Sequence, residues 1–275
     1  MKVLVTGANG YLGRGIVDCL LCDNAEVVAT DIRMSGFNRN VESVEADLFS
    51  IENPYDYFSK PDIVIHLAWR DGFKHFSGNH IGDLPGHVTF LERICRADIK
   101  RLCVMGSMHE VGFFEGSINE NTPCNPLSYY GIAKNALREA VQIITEQKKI
   151  QQQWLRGYYI VGNSRNGSSV FSKIVQAVCD GKKEFPFTMG LNQFDFLDYD
   201  LFCKYVSKTA LQDDIDGIIN ICCGRPEKLA DRVERFIMEN GYDISLKYGA
   251  YPDRPYDSKA VWGDVTKLNA ILEKG

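Results

Sequence analysis

The stretch Lys2-Val3-Leu4-Val5-Thr6-Gly7-Ala8-Asn9-Gly10-Tyr11-Leu12-Gly13 decides the fold. Residues 2–6 alternate and are β-branched, which predicts a strand. Residues 14–21 carry Ile16, Val17, Leu20 and Leu21 at helical spacing, which predicts a helix. Between them stand three glycines. Gly7 permits a tight turn, Gly10 lets backbone N–H groups approach a pyrophosphate, and Gly13 lets the helix pack on the sheet. The helix N-terminus then faces the negative charge. Asn9, Tyr11 and Leu12 belong to the same cradle. A glycine triplet alone is a weak signal, but here it has the strand before it and the helix after it that a dinucleotide site needs.

Working outward, strands are predicted at 27–30, 63–67, 102–105, 154–156 and 160–161. Helices are predicted at 89–96, 128–148 and 229–240. This alternation implies an α/β, Rossmann-type doubly wound parallel sheet. Residues 1–162 read as the dinucleotide-binding domain. Residues 163–275 read mainly as a small substrate-binding lobe, with some segments returning to the sheet. The stretches 69–86 and part of 163–198 read as long loops, which are often functional.

Composition bounds the rest. A chain of 275 residues with 45% hydrophobic content can bury a full core. A net charge of −5 excludes a nucleic-acid binder that works through a broad basic face. No apolar run approaches a membrane span, and residues 1–7 are too short for an export signal. A cytoplasmic protein is expected, and its nine cysteines are expected to be reduced. Cys19 and Cys22 form a CxxC inside a predicted helix with no second pair nearby, so no metal site is expected. His75, His80 and His87 match no metal spacing and read as solvated loop residues.

Asp31 ends the second strand, 24 residues past Gly7. A carboxylate there accepts the hydroxyls of an adenosine ribose, which favours NAD. Arg33 stands two residues on, beyond Ile32, and leaves NADP open. Asp47 and Leu48 are placed at the adenine side. Tyr130 and Lys134 are i and i+4 on one helical face. An ammonium beside a phenol favours the phenolate and lowers its pKa toward the range of proton transfer. Ser107, at the carboxyl end of a strand, adds a hydroxyl.

Together these residues resemble the extended short-chain dehydrogenase/reductase family, in its nucleotide-sugar epimerase/dehydratase branch. Residues 6–13 resemble TGxxGxxG. Asp31 resembles the ribose-binding acid, Asp47-Leu48 the adenine-side pair, and His66-Leu67-Ala68 the H-x-A strand end. Residues 125–134 resemble P-x-S-x-Y-x-x-S-K, and Leu155-Arg156 the strand behind the nicotinamide. Residues 195–200, 220–224 and 254–257 with Asp264 and Lys267 resemble three C-terminal motifs. The resemblance implies Ser107, Tyr130 and Lys134 as the catalytic group. It implies cofactor contacts from Leu67, Ala68, Trp69, Tyr159 and Val161, and substrate contacts from Ser107, Met108, His109, Asn163 and Arg254. Arg254 would grip a diphosphate through two oxygens at once. It also implies a homodimer through paired helices, for which Ile132, Ala136, Val141 and Ile144 are available.

Three departures narrow the reaction. Phe194 stands where the family carries arginine, and Tyr159 where it carries asparagine. The segment Ser107-Met108-His109 lacks the acid and base that remove water across C5 and C6. The expected function is therefore NAD(P)-dependent redox at C4 of a nucleotide-activated sugar. A ketoreductase is favoured by the short C-terminal half. An epimerase that retains NAD is the alternative, and a non-catalytic dinucleotide sensor is a third reading.

Overall fold

The structure is a computed structural model that describes residues 1–37, 41–165, 167, 169–252 and 258–274. In chain order the elements are β1 (Lys2–Thr6), α1 (Tyr11–Cys22), β2 (Glu26–Asp31), β3 (Glu42–Glu45), α2 (Pro54–Tyr57), β4 (Ile63–His66), α3 (Asn79–Ile94) and β5 (Arg101–Ser107). There follow β6 (Gly116–Ile118), α4 (Tyr129–Lys148), β7 (Gln151–Gly157), β8 (Tyr159–Val161), α5 (Val170–Cys179), β9 (Glu184–Pro186) and β10 (Gln193–Asp198). The chain closes with α6 (Tyr199–Leu211), β11 (Gly217–Ile221), β12 (Pro226–Lys228), α7 (Leu229–Glu239), β13 (Ser245–Lys247), β14 (Ala260–Gly263) and α8 (Thr266–Leu272).

Seven strands form one sheet in the order β11-β7-β5-β4-β1-β2-β3, and every pairing in it is parallel. The period of two along each strand sorts the side chains onto opposite faces. Val3, Val5, Ile63, Ile65, Cys103 and Met105 enter one core, with α1 and α6 over it. Leu4, Val64, Leu102 and Val104 enter the other, beneath Phe90 and Leu91 of α3 and Leu137 and Val141 of α4. Burial on both faces is why these strands read as continuous apolar runs. Strand order reverses between β1 and β4, and in such sheets ligands bind at the carboxyl ends of the strands beside that reversal.

A second sheet, β12-β10-β14-β6 with β8 on β10, builds the smaller lobe over a third core of Phe171, Ile174, Phe194, Phe196 and Phe236. It takes β6 and β8 from the first 162 residues, while α6, β11 and α8 of the later half pack on the large sheet. Asp195 joins the segments of this lobe. It is fully buried and accepts from the N–H groups of Cys223 (2.8 Å), Gly224 (2.9 Å) and Gly263 (3.2 Å).

Two stretches expected as loops are partly helical. Helix α3 begins at Asn79, ten residues before the predicted start, and contains Pro85. Its buried residues are His80, His87, Phe90, Leu91 and Ile94. The two in the first part of the helix are histidines, so counting apolar residues misses that half. Helix α5 lies within 163–198 and is capped by Ser169, whose hydroxyl accepts from Ser172 N (3.1 Å).

Candidate active site

The turn after β1 is a backbone cradle. Gly7 has φ +69°, and a Cβ there would stand 2.7 Å from the backbone N of Ala68 in the β4 exit. A Cβ on Gly13 would stand 2.6 Å from Ala8 Cα. Helix α1 starts at Gly10 with no side-chain cap, so its first-turn N–H groups are left to an anion. Asp31 braces the turn: one carboxylate oxygen accepts from Asn9 N (3.1 Å), the other from Ile32 N (2.8 Å). Asn9 Nδ2 donates to Arg33 O (2.7 Å), and Arg14 donates to Asn9 O (3.2 Å) and Gly36 O (3.1 Å). The side chains of Ile32 and Arg33 are exposed. A cradle that excludes Cβ atoms, with open helix N–H groups and a carboxylate at the next strand end, fits a dinucleotide.

Other expected cofactor residues divide. Tyr11 packs its ring 4.6 Å from that of Tyr199, whose hydroxyl donates to Tyr11 O (2.6 Å), and burial pushes the Tyr11 phenol up to about 12. Leu12 packs on the first core. Leu67, Ala68 and Trp69 leave β4 against the cradle, with Ala68 N directed at Thr6 Oγ1 (3.4 Å). Asp47 is exposed and accepts from Phe49 N (3.1 Å), capping a short turn, while the Leu48 side chain is spent in the core. Tyr159 and Val161 are corrected likewise. The Tyr159 ring stacks 4.4 Å from Phe194, and Val161 fills the lobe core, because β8 pairs with β10 and their side chains follow that sheet. Only the backbone of this segment passes the cradle, where Gly162 closes on the Tyr11 hydroxyl.

Ser107, Tyr130 and Lys134 come together at the carboxyl end of β5. Ser128 caps α4, accepting from Gly131 N (3.1 Å), and so presents Tyr130 in the first turn. The Ser107 side chain hydrogen-bonds the Tyr130 phenol. Lys134 is buried and donates from Nζ to Met105 O (2.7 Å), with the Trp69 ring centroid 3.9 Å from Nζ. The expected lowering of the phenol by the ammonium is not found. Burial pushes Tyr130 up to about 12, with the Ser107 bond pulling it down and Glu110 pushing it further up. Burial also brings Lys134 down to about 7, against the pull of Glu110.

Glu110 is a residue the sequence reading missed. It is fully buried, accepts from Ser107 N (2.7 Å) and Trp154 Nε1 (2.8 Å), and pairs with Arg156 (3.5 Å) and Arg138 (3.7 Å). Ser107 in turn accepts from His109 N (3.3 Å), which closes a capping box. The S-x-x-E spacing of residues 107–110 is the signal that could have found it.

All five histidines of the chain gather around this group, among them His75, His80 and His87, which were expected as solvated loop residues. His66, His80 and His87 are buried. His66 bridges Thr6 Oγ1 (2.8 Å) and His87 Nδ1 (2.9 Å). Burial, with Lys134 adding to it, holds His87 down at about 3 and His66 well below the usual imidazole range. His80 Nδ1 accepts from Trp69 Nε1 (3.0 Å), so its Nε2 donates to Lys74 O (3.1 Å). Trp69 stacks on His87 at 4.6 Å. His75 stacks on Tyr130 at 5.2 Å and 11°, and His109 lies 4.4 Å from His75 and 6.0 Å from Tyr130.

Among expected substrate residues, Ser107 and His109 are therefore at the phenol. Met108 turns away into the lobe core. Asn163 is occupied at both ends of its amide, donating to Asn240 (2.5 Å) and accepting from Tyr242 (2.6 Å). Arg254 and residues 255–257 lie outside the described residues. No cluster of three or more potential metal ligands occurs among the described residues, nor a helix long and apolar enough to cross a membrane. The cysteines are free thiols, with Cys19 and Cys22 on α1.

Comparison with known proteins adds sequence and shape. The sequence model of the NAD dependent epimerase/dehydratase family matches residues 3–222. A dTDP-6-deoxy-L-talose 4-dehydrogenase (NAD(+)) of Aggregatibacter actinomycetemcomitans is 38% identical over 96% of this chain and 99% of its own. A putative UDP-glucose 4-epimerase of Methanocaldococcus jannaschii is 27% identical over 98% and 92%. In fold, the chain resembles the UDP-N-acetylglucosamine 4-epimerase of Methanobrevibacter ruminantium M1. That match has a TM-score of 0.86 at 22% identity and covers 98% of this chain and 91% of that one.

Proposed function

Because the chain belongs to the NAD dependent epimerase/dehydratase family, we propose that it is an NAD-dependent 4-dehydrogenase, or 4-ketoreductase in reverse, of a nucleotide-activated 6-deoxyhexose. The single observation that carries this reading is the Ser107–Tyr130 hydrogen bond beside the enclosed Lys134, at the edge where the glycine cradle opens. The 4-dehydrogenase name of the 38% identical relative supports the reaction type, and its NAD(+) agrees with the carboxylate at Asp31. The phenol is protonated near neutral pH, which suits donation to a C4 carbonyl in the reducing direction.

In this reading NAD, when bound, accepts or supplies the hydride. The N–H groups of residues 11–13 hold the pyrophosphate, and Asp31 the adenosine ribose. Ser107 positions the C4 oxygen, and Tyr130 carries the proton to or from it. Lys134 holds the second ribose. A homodimer and a cytoplasmic location belong to the same proposal. For the former, α4 offers Ile132 and Ile143, which are exposed, whereas Val141 is used in the core.

The test is NADH appearance at 340 nm with dTDP-6-deoxyhexoses, run beside mass identification of the nucleotide released on denaturation. Net NADH formation with a freely exchanging cofactor supports the proposal. Interconversion of C4 epimers with tightly retained NAD and no net NADH overturns it in favour of the epimerase.

A further inference from the structure

Two hydroxyls can share one substrate oxygen only if they are held together, and here they come from different elements. Ser107 ends β5, and Tyr130 stands in the first turn of α4. A single stripe of α4 joins the two. Tyr130, Lys134 and Arg138 are i, i+4 and i+8, so they lie on one face, and each crosses to β5 or its exit. Tyr130 hydrogen-bonds the Ser107 side chain, Lys134 donates to Met105 O (2.7 Å), and Arg138 pairs with Glu110 (3.7 Å). Asn135 and Glu139, which also accept from Arg138, are on α4 itself. Glu110 is therefore the partner that ties this part of the helix to the β5 exit.

The Glu110 carboxylate is fully buried where β5, β7 and α4 meet. One oxygen accepts from Ser107 N (2.7 Å), on the residue whose hydroxyl faces the phenol. The other accepts from Trp154 Nε1 (2.8 Å) on β7 and lies 3.5 Å from Arg156 and 3.7 Å from Arg138. The backbone makes room for this. A Cβ on Gly106 would stand 2.8 Å from Glu110 Oε1 and collide with the Trp154 indole. A Cβ on Gly131 would collide with His109 O, so the first turn of α4 rests directly on the turn at 108–110. Arg156 is fully buried, and among the described residues its Nε and Nη2 have no hydrogen-bond acceptor. Its charge needs the carboxylate beside it. Replacing a buried ion network with apolar side chains of the same size is often neutral for stability. What this network adds is direction, because a carboxylate aimed at donors on β5, β7 and α4 admits one arrangement of those elements.

We propose that Glu110 is the positioning residue of the active site, locking the β5 exit to α4 in the register at which the Ser107 and Tyr130 hydroxyls converge on the C4 oxygen. Glu110 touches neither substrate nor phenol. It acts on Ser107 through the backbone N–H and on Tyr130 through Arg138, two helical turns along α4. This assignment rests on the proposed function only in that Ser107 and Tyr130 meet the C4 oxygen, and it holds for a dehydrogenase and an epimerase alike.

The test is a double-mutant cycle in the full chain. Glu110→Gln and Arg138→Gln are made in the natural sequence and again with Ser107→Ala, beside the conservative Arg138→Lys. NADH formation with dTDP-6-deoxyhexoses gives kcat and KM. NMR of ring-labelled tyrosine follows the Tyr130 resonance, assigned with Tyr130→Phe. Both glutamine variants should lower kcat about tenfold or more, as displaced catalytic groups do, with little change in KM. Arg138→Lys should keep most of the rate. In the Ser107→Ala background neither glutamine change should lower kcat further. The Tyr130 resonance should move with Ser107→Ala and with either glutamine change, and should not move again when they are combined. A full kcat in Glu110→Gln overturns the proposal. So do losses that multiply with that of Ser107→Ala, which mark a merely structural role, and a Tyr130 resonance that stays in place. Should Glu110→Gln fail to fold, Arg138→Gln carries the cycle, since Arg138 is half-buried. If the natural chain gives C4 epimers without net NADH, the dehydrogenase reading fails, and the same cycle is read on epimer interconversion. The NMR arm decides for or against Glu110 under either reaction.

Discussion

The turn at 7–13 and the wall beside Tyr130 share one sheet edge and are built from different material. The turn is backbone: Gly7 at φ +69° and Gly13 where a Cβ has no room, braced by the Asp31 carboxylate. The wall is made of rings and buried charges brought from three separated segments: Trp69 and His75, His80 and His87 on α3, and His109 with Glu110 after β5. A backbone cradle serves any dinucleotide phosphate, because N–H groups do not discriminate among what the phosphates carry. A wall of side chains can be specific to one reaction. Binding and turnover should therefore separate when the two regions are altered in turn.

The sharpest separation is Tyr130→Phe. Turnover should fall by about three orders of magnitude, within the range of general acid–base catalysis, while dinucleotide affinity by calorimetry stays within a few-fold. Parallel loss of both would dissolve the distinction between the regions. Glu110→Gln comes next. Glutamine keeps an acceptor for Ser107 N and Trp154 but leaves Arg156 buried without a counter-charge. A loss of about 3 kcal/mol is expected in denaturant unfolding. Gly7→Ala tests the cradle. A left-handed backbone and a clash with Ala68 should cost about 2 kcal/mol. Dinucleotide binding should weaken strongly, and the Tyr130 ring environment, read by NMR, should change little.

The wall also contributes acid sensitivity. His87 is held at about 3 in the folded chain by burial, whereas an unfolded histidine titrates at about 6.5. Below the latter value the unfolded state binds the extra proton. Stability from this residue is intact above pH 6.5 and is lost as pH falls toward 3, by about 1.4 kcal/mol per unit. Thermal melts from pH 8 to 5 should show that decline, and His87→Phe should remove one proton's worth of slope. A slope unchanged by the substitution would place the acid sensitivity elsewhere. The smallest effect is expected from Trp69→Phe, which keeps a ring near Lys134 but loses the indole donor to His80. A change of about 1 kcal/mol in stability is anticipated.

The contrast also explains how far each region could be read from residues in order. The cradle is contiguous, so spacing alone located Gly7, Gly10, Gly13 and, one strand later, Asp31. Tyr130 and Lys134 were legible because one helical turn fixes their relation. Tyr159 and Val161 were expected at the cofactor, and their side chains pack with the lobe core because β8 pairs with β10; Met108, in the turn after β5, packs there too. Asn163 was assigned to substrate, and its amide is taken by Asn240 and Tyr242 of a later segment. The first half of α3 was hidden because its buried face carries His80 and His87, and a polar residue does not mark a core stripe.

By itself, the sequence determined the doubly wound parallel sheet, the dinucleotide turn and the Ser107, Tyr130, Lys134 set, since each rests on local periodicity or on spacing within one turn or helix. Only the tertiary structure decided what surrounds Tyr130. The charge state of a phenol or an ammonium depends on burial and on neighbours within a few ångströms. Here those neighbours, Glu110, Trp69 and the five histidines, come from segments tens of residues apart that meet only where parallel strands end side by side.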